Sequence, residues 1–317
     1  MQAEWADRVG RRLKLRDLRI LRALADCGSM AKAAEQLGIS HPVISKAVSD
    51  LEHAMGVQLL DRSSRGVEPT IYGQALLKCG TAVFDEVRQG LNHIAFLTNA
   101  NTGELRIGCP EGMAAGLLPD IAERFARRCP GARLLVVHAD TASGAFEDLR
   151  ARNVDLLIGT MPRPFADDDI LMETLFDECL AVVAGVDSPW ARRRQIALSH
   201  LVDEPWVLAP RDSVPGLGAA AIFADSGLPV PQSGMVALSI HLTVSLVASG
   251  RFVALLPSAV ARLNASRRLL KILPVKLPAH GVAIGIATVK NRTVSPLVKQ
   301  FVACARDVTR SLPHARS

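Results

Sequence analysis

The sequence predicts a multidomain chain of 317 residues that combines α and α/β domains. Three observations lead to this prediction. Capped short helices and a hairpin pattern fill residues 13–70, one long apolar stripe fills residues 71–101, and strands alternate with helices over residues 102–312. A chain of this length is longer than one ordinary hydrophobic core supports, so separate domains are expected.

The first predicted helix begins at about residue 15 and has one apolar face, formed by Leu18, Leu21 and Leu24. Gly28 is expected to end it, because a residue without a Cβ atom readily takes the left-handed cap conformation. The net charge is a weaker indication of the binding partner. The formal charge of +6 favours acidic partners, and basic residues crowd this helix and the arm before it: Arg8, Arg11, Arg12, Lys14, Arg16, Arg19 and Arg22. A solvated helix face is the alternative interpretation of that cluster.

Two further helices follow at once. Ser29 is placed to cap a short helix over residues 30–37, whose small alanines allow close helix packing. Ser40 is placed to cap a third helix, and Pro42 lies in its first turn, where a missing N–H costs nothing. Two capped helices in tandem favour a DNA-binding helix-turn-helix; a small helical bundle with a polar surface is the alternative.

The outer face of the third helix is small, polar and basic, which suits base edges and phosphates in a DNA major groove. Candidate DNA contacts on the second and third helices are Ser29, Lys32, Ser40, His41, Pro42, Val43, Ser45 and Lys46. The hairpin pattern that follows reads as a wing, with Arg62 and Arg65 placed for the DNA backbone or the minor groove. Two arginines on a protein surface would not by themselves indicate DNA binding; their position in the hairpin does.

Thr70 is placed to cap a long helix that reaches about residue 97. Its apolar stripe has near-heptad spacing and comprises Leu76, Val83, Val87, Leu91 and Ile94, with Leu77, Phe84 and Leu97 beside it. A dimer coiled coil would cover the stripe and let two small modules bind two half-sites, whereas ordinary intramolecular core is the alternative. Residues 99–103 are expected to form a short polar hinge.

From residue 104 onward, short apolar runs alternate with helical segments. The first set covers residues 105–108, 116–128, 134–138, 143–152 and 154–158, and the second includes 206–208, 216–226, 239–249 and 252–256. The βαβαβ order implies parallel sheets with helices on both faces. Two such lobes enclose a cleft. Helices beginning after Met113 and at Ser239 would direct free N–H groups at a carboxylate, a phosphate or a sugar hydroxyl there.

The cysteine pattern and the hydropathy of the sequence indicate the cellular compartment of the protein. The cysteines are scattered without a CxxC pair, at Cys27, Cys79, Cys109, Cys129, Cys179 and Cys304. In a long chain this pattern is typical of reduced thiols. The N-terminus lacks a signal-like apolar stretch, and no run approaches the roughly 18 apolar residues of a membrane span. We therefore expect a cytoplasmic protein with no membrane partner.

Residues 17–73 closely resemble the winged helix-turn-helix of LysR-type transcriptional regulators. The matching motifs are Gly28-Ser29, Ala33-Ala34, Ser40-His41-Pro42-Val43-Ile44-Ser45, Leu51-Glu52, Gly56-Val57-Gln58-Leu59 and Arg62. The resemblance implies a regulator that binds double-stranded promoter DNA as a dimer or tetramer and contacts RNA polymerase. Relatives often carry Gln in place of His41 and Arg in place of Lys46. His and Lys lack the bidentate geometry of those side chains, so the resemblance implies the docking mode and leaves the exact operator bases open.

The remaining chain resembles the type-2 periplasmic-binding-protein domain that senses effectors in this family. The matching segments are GELRIG, LLPDIAERFARRCPGARL, VDLLIGTM and LVASGRFVALLP. The resemblance implies one lobe at about 103–163 plus 275–311, a second at about 164–274, and a small-molecule effector as the sole ligand, with no cofactor. Effector-site candidates carried over by position are Glu111, Gly112, Met113, Thr141, Thr160, Ser213, Ser239 and Ile240.

Glu111 is unusual, because many relatives have Ser or Thr near this position. If its carboxylate faces the cleft, it argues against a plain carboxylate effector and for a hydroxylated or cationic one. Alternatively, Glu111 caps a helix N-terminus and points to solvent. A sugar and an aromatic or organic acid both stay open as effectors.

Two other functions compete with a regulator. A two-lobed enzyme would need a poised catalytic set, and the sequence contains no GxSxG, HExxH or phosphate-loop motif. The run Asp167-Asp168-Asp169 offers acidic ligands, but consecutive side chains alternate in direction and usually form a solvated loop. A nucleoid-type DNA-binding protein without a ligand would not need the large α/β domain. The sequence thus favours a non-enzymatic, effector-responsive regulator without a metal.

Overall fold

A computed structural model describes residues 10, 13–63, 66–98, 102–144, 146–164, 167–232, 234–278, 280–310 and 312. The chain divides into two compact units, Met1–Leu91 and Asn92–Ser317, and each is described by itself. No described helix combines the length and the apolar character that a bilayer crossing requires.

The first unit contains a three-helix core, a hairpin and most of a long helix. Its elements are α1 (Leu15–Cys27), α2 (Met30–Leu37), α3 (His41–Met55), β1 (Leu60–Ser63), β2 (Gly66–Pro69) and α4 (Ile71–Thr98). Gly28 ends α1 in the left-handed conformation with φ 61°, as its position predicts. Ile20, Leu24 and Ile44 are among the buried side chains that form one core between the helices.

The caps of α2 and α3 differ from the prediction in one respect. Ser29 and Ser40 stand at the N-cap positions with extended backbones, but neither side chain makes a capping hydrogen bond. Thr70 does cap α4, since its Oγ1 accepts a hydrogen bond from the N–H of Gly73 at 3.1 Å and donates to the carbonyl of Gln58 at 2.8 Å.

The second unit contains two five-stranded sheets. The first sheet has the order β4-β3-β5-β12-β6 and the second has the order β11-β7-β10-β8-β9. The strands are β3 (Gly103–Cys109), β4 (Ala132–His138), β5 (Leu156–Thr160), β6 (Ile170–Glu178), β7 (Leu180–Gly185), β8 (Trp206–Leu208), β9 (Met235–Val236), β10 (Val253–Pro257), β11 (Leu270–Ile272) and β12 (Val282–Val289). The helices are α5 (Glu111–Ala115), α6 (Leu118–Arg128), α7 (Glu147–Arg150), α8 (Val214–Asp225), α9 (Ile240–Ala248), α10 (Ser258–Ser266) and α11 (Pro296–Arg310).

We call the part built on the first sheet lobe I and the part built on the second sheet lobe II. The predicted boundary between them at about residue 163 is wrong. Strand β6 pairs antiparallel with β12 along its whole length and is the edge strand of the first sheet, so the chain enters lobe II only after Glu178. Strands β3, β4 and β5 are parallel, as the βαβ pattern predicts. In the second sheet, β7 runs antiparallel to β10 and departs from that pattern.

Two predicted helices also differ in extent. The segment 143–152 is helical only at Glu147–Arg150, because Gly144 and Phe146 both adopt positive φ angles, 70° and 48°, that a right-handed helix does not accept. The helix predicted from residue 116 begins at Leu118, and a separate short helix over Glu111–Ala115 precedes it. This short helix carries Glu111, a predicted effector-site residue.

Candidate functional site

The first candidate site is the outer face of α3. Ile44, Val48 and Leu51 are buried on the inner face. On the outer face Ser40, His41, Pro42 and Lys46 are exposed, and Val43 and Ser45 are half-buried. Lys32 on α2 is exposed and Ser29 is half-buried. The structure thus presents most of the predicted DNA contacts on the surface, and the Ser40 hydroxyl accepts no hydrogen bond from the backbone it precedes.

The hairpin β1–β2 lies against the helical core. Its register pairs Leu60 with Pro69 and Ser63 with Gly66. Arg62 is exposed on β1, whereas Arg65 lies outside the described residues. Sequence reasoning assigned the hairpin as a wing but did not identify what holds it in place.

Two contacts fix the wing to the helices. The Glu52 carboxylate on α3 accepts hydrogen bonds from the N–H groups of Leu59 at 2.8 Å and Leu60 at 3.3 Å. The N–H of Val67 donates to the carbonyl of Gly28 at 2.9 Å. Because charged carboxylates make strong hydrogen bonds to backbone N–H groups, Glu52 is a positioning residue for the wing. The motif Leu51-Glu52 is the sequence signal that could have identified this positioning residue.

Gly66 of the wing lies against Gly28 in the α1–α2 turn. Its φ is 133°, and a Cβ atom added there would lie 2.5 Å from the Gly28 carbonyl oxygen. We expect Gly66→Ala to lower the free energy of unfolding by about 1–3 kcal/mol and to weaken DNA binding, because the backbone must strain or the wing must move. Urea unfolding and a DNA-binding titration measure the two effects.

Gly218→Ala is the matched control for Gly66→Ala. A Cβ atom at Gly218 would make only an ordinary contact, 3.5 Å from Leu180 Cδ1. An equal loss of stability in the two variants would contradict the close approach of the wing.

The second candidate site lies around α5, which is shared between the lobes. Met113 packs into the lobe I core, and Ala115 packs against the lobe II cluster that contains Val247 and Val260. A Cβ atom at Gly116 would lie 3.0 Å from Val260 Cγ2, and one at Gly112 would lie 3.8 Å from Pro257 Cγ. Small residues therefore let α5 approach the start of α10 closely.

Glu111, at the start of α5, reaches the N-terminus of α9 in lobe II. Its Oε1 accepts hydrogen bonds from the N–H of Ile240 at 2.8 Å, from the N–H of His241 at 3.3 Å and from Ser239 Oγ at 3.3 Å. Ser239 also caps α9 by accepting a hydrogen bond from the N–H of Leu242 at 3.4 Å. Both interpretations offered for Glu111 were incomplete. Its carboxylate caps a helix, but a helix of the other lobe, and it lies between the lobes.

The threonines lie at the carboxyl edge of the first sheet. Thr141 is 1% exposed, and its Oγ1 has no hydrogen-bond partner among the described residues. A Cβ atom at Gly159 would lie 2.5 Å from this Oγ1 and 2.7 Å from Pro110 Cδ, so the hydroxyl lies beside the residue that precedes Glu111. Thr160 follows on β5 and is half-buried. Thr141 therefore lies close to the residue at which α5 begins.

Ser213, another predicted effector residue, bonds to its own loop and helix. Its hydroxyl donates to the carbonyl of Pro210 at 2.6 Å and accepts a hydrogen bond from the N–H of Gly216 at 3.2 Å, so it caps α8. Its role in the structure is local.

Two other features bear on the sequence predictions. Asp167 and Asp169 both pair with the guanidinium of Arg150, at 3.3 Å in the case of Asp169. A surface cavity of about 210 Å³ in lobe II, which sequence reasoning missed, lies beside Trp190, Arg193 and Glu204. The guanidinium of Arg193 lies 5.7 Å from the Trp190 ring centroid and occupies that aromatic face.

Comparisons with known proteins agree with the two units. Residues 15–74 match the description "Bacterial regulatory helix-turn-helix protein, lysR family", and residues 98–310 match "LysR substrate binding domain". The chain belongs to the LysR family. It is a DNA-binding transcriptional regulator with an effector-binding domain, and the predicted fold class is confirmed.

The LysR relatives align along nearly the whole chain. The uncharacterized HTH-type transcriptional regulator YdcI of Escherichia coli K12 is 27% identical over 286 residues, which cover 90% of this chain and 92% of that protein. The HTH-type transcriptional regulator GbpR of Azospirillum brasilense is 27% identical over 296 residues, which cover 93% and 86%. A full-length OxyR variant from Pseudomonas aeruginosa has a TM-score of 0.62 at 23% identity, with 94% and 95% covered, and establishes the fold alone.

Proposed function

We propose that this LysR-family regulator places the start of α3 in the DNA major groove, with the wing on the adjacent backbone. The observation that carries the proposal is the outer face of α3, where Ser40, His41 and Lys46 stand exposed opposite a buried apolar stripe. Hydroxyl, imidazole and ammonium groups can donate to guanine acceptors and phosphates. Arg62 and Arg65 supply backbone contacts that do not depend on sequence.

We propose that α4 forms the dimer interface. Val87, Leu91, Ile94 and Leu97 are exposed on this helix by 43%, 61%, 61% and 73%. An apolar helix face of this kind is stable in water only when another surface covers it. A second copy of α4 would cover it and bring two helix-turn-helix units to two half-sites. Pairing of dimers into a tetramer, contact with RNA polymerase and a cytoplasmic location are part of the same proposal.

We propose that the effector binds between the lobes, next to α5. The Thr141 hydroxyl supports this position, because a buried hydroxyl without a partner costs about 1–3 kcal/mol and gains a hydrogen bond from a suitable ligand. Because α5 contacts both lobes, a ligand that binds beside it can bind the closed and the open form of the domain with different affinity. Such a ligand shifts the populations of the two forms. YdcI and GbpR are both named as transcriptional regulators, and we propose no catalytic activity for this chain.

A DNA-binding titration against fragments of the divergent region upstream of its own gene tests the DNA contacts. We expect Lys46→Ala to lose about 1–3 kcal/mol of discrimination between this DNA and random DNA, because Lys46 faces the bases. Arg62→Ala should weaken binding to both DNAs equally and make the slope of log affinity against log salt shallower by about 0.9. Identical behaviour of the two variants would refute these roles.

Lys271→Ala is the control for Lys46→Ala. It removes the same charge from an exposed position on β11 and should leave DNA discrimination unchanged.

A thermal-shift screen with sugars and aromatic acids tests the effector site. If DNA binding is intact and no small molecule stabilises the protein or changes its DNA affinity, the chain is a DNA-binding protein without an effector.

A further inference from the structure

The N-terminus of α9 already holds an anion in this structure. Glu111 Oε1 receives two backbone N–H groups and one hydroxyl there, at 2.8 to 3.3 Å. The N-terminus of a nine-residue helix such as α9 carries uncompensated N–H donors and the positive end of the helix dipole. An anion such as a carboxylate is the kind of group that such a terminus binds.

The anion comes from the opposite lobe. Glu111 belongs to α5, whose Met113 is part of the lobe I core, whereas α9 packs on the second sheet through Ile240 and Val247. A single side chain therefore joins the lobes through three hydrogen bonds. Oε2 of the same carboxylate accepts no hydrogen bond from any described residue.

We propose that Glu111 is a built-in anionic ligand that holds the lobes together and selects the class of effector. A simple carboxylate would have to compete for the same N–H groups and would lie within a few ångströms of a like charge. An effector with a hydroxyl or ammonium donor instead pairs with Oε2 and leaves the inter-lobe contact in place. The choice of effector class rests on the proposed effector site, whereas the contact itself does not.

Chemical rescue of the full-length chain tests the inference. Glu111→Ala removes the carboxylate and leaves room for acetate at the end of α9. We expect the variant to melt a few degrees below the wild type, at about 2–4 °C per kcal/mol lost. Sodium acetate should recover most of this loss, and equal concentrations of sodium chloride or acetamide should not. The wild type should respond to acetate no more than to chloride.

The matched control is Glu123→Ala, the same substitution at an exposed position of lobe I, where the carboxylate's one ion pair among the described residues is with Arg127 on its own helix. It should show no response specific to acetate. If Glu111→Ala does not fold, Glu111→Ser gives a second variant with the same space. Equal acetate responses in wild type and variant, or no response in the variant, would overturn the inference.

The effector-class step has a separate readout. Sodium benzoate is expected to stabilise Glu111→Ala more than the wild type, and stabilisation of the wild type by benzoate to the same degree would overturn that step. Both measurements use the protein without DNA. A failure of the DNA-binding proposal therefore leaves them unaffected, and a failure of acetate rescue leaves the DNA-binding result standing.

Discussion

Arg292→Ala is expected to lower the free energy of unfolding of the effector domain by about 3–5 kcal/mol, because it leaves a buried carboxylate without its counter-ion. The side chains of Arg292 and Asp155 are only 4% and 2% exposed and lie 2.7 Å apart. The guanidinium also donates to the carbonyls of Val154 and Asp155, each at 3.2 Å. The other oxygen of Asp155 accepts a hydrogen bond from the N–H of Arg106 at 2.9 Å.

The pair therefore joins three segments of lobe I: β3, the start of β5 and the chain after β12. Urea unfolding followed by far-ultraviolet circular dichroism measures the loss. Arg306→Ala is the matched control, since Arg306 also binds a carboxylate, Glu173, with two hydrogen bonds at 2.6 and 2.7 Å. Its side chain is 49% exposed, so solvent screens the pair and the expected loss is below about 1 kcal/mol. Equal losses in the two variants would contradict the role of burial.

Local signals in the sequence predicted the first unit well. The apolar spacing of α1 and α3, the glycine after α1 and Pro42 in the first turn of α3 all act within one or two helical turns. The same is true of Thr70, whose capping bond to Gly73 spans three residues. Features of this kind are readable because the physical cause and its effect lie close together in the chain.

What the sequence did not predict depends on contacts between distant residues. The pairing of β6 with β12, which moves the lobe boundary, joins segments about a hundred residues apart and has no local mark. The Ser29 and Ser40 hydroxyls were assigned as caps from residue type, yet the backbone geometry leaves them out of the capping bonds. Glu111 was singled out from its position in the sequence, but its partner at Ile240 lies 129 residues away.

A second carboxylate that bridges the lobes was missed altogether. Glu178 is the last residue of β6, where the chain leaves lobe I, and it is 6% exposed. Its Oε1 accepts hydrogen bonds from the N–H of Ser258, at 3.0 Å, and from the Ser258 hydroxyl. Its Oε2 accepts one from the N–H of Ala259 at 3.3 Å. Glu178 thus caps α10 as Glu111 caps α9, so the N-termini of these two lobe II helices each receive an acid from lobe I.

The difference between the two acids is burial. Glu178→Ala is expected to lower the free energy of unfolding by about 2–4 kcal/mol, because three hydrogen bonds to a buried charge are lost and the N-terminus of α10 is left uncapped. Thermal unfolding of the full chain measures the effect, and it should exceed that of Glu111→Ala, whose carboxylate is only half-buried.

Acetate separates the roles of the two acids. Glu178 lies where the chain passes from lobe I to lobe II, and the N–H of Ser258 also donates to the carbonyl of Cys179 there at 2.8 Å. Because Glu178 is buried, a small anion from solvent should replace its carboxylate poorly. Glu111→Ala should respond to acetate, and Glu178→Ala should respond weakly or not at all. Rescue of both variants to the same extent would mean that the N-termini of α9 and α10 are equally accessible to small anions. That result would contradict a specific role of Glu111 in selecting the class of effector.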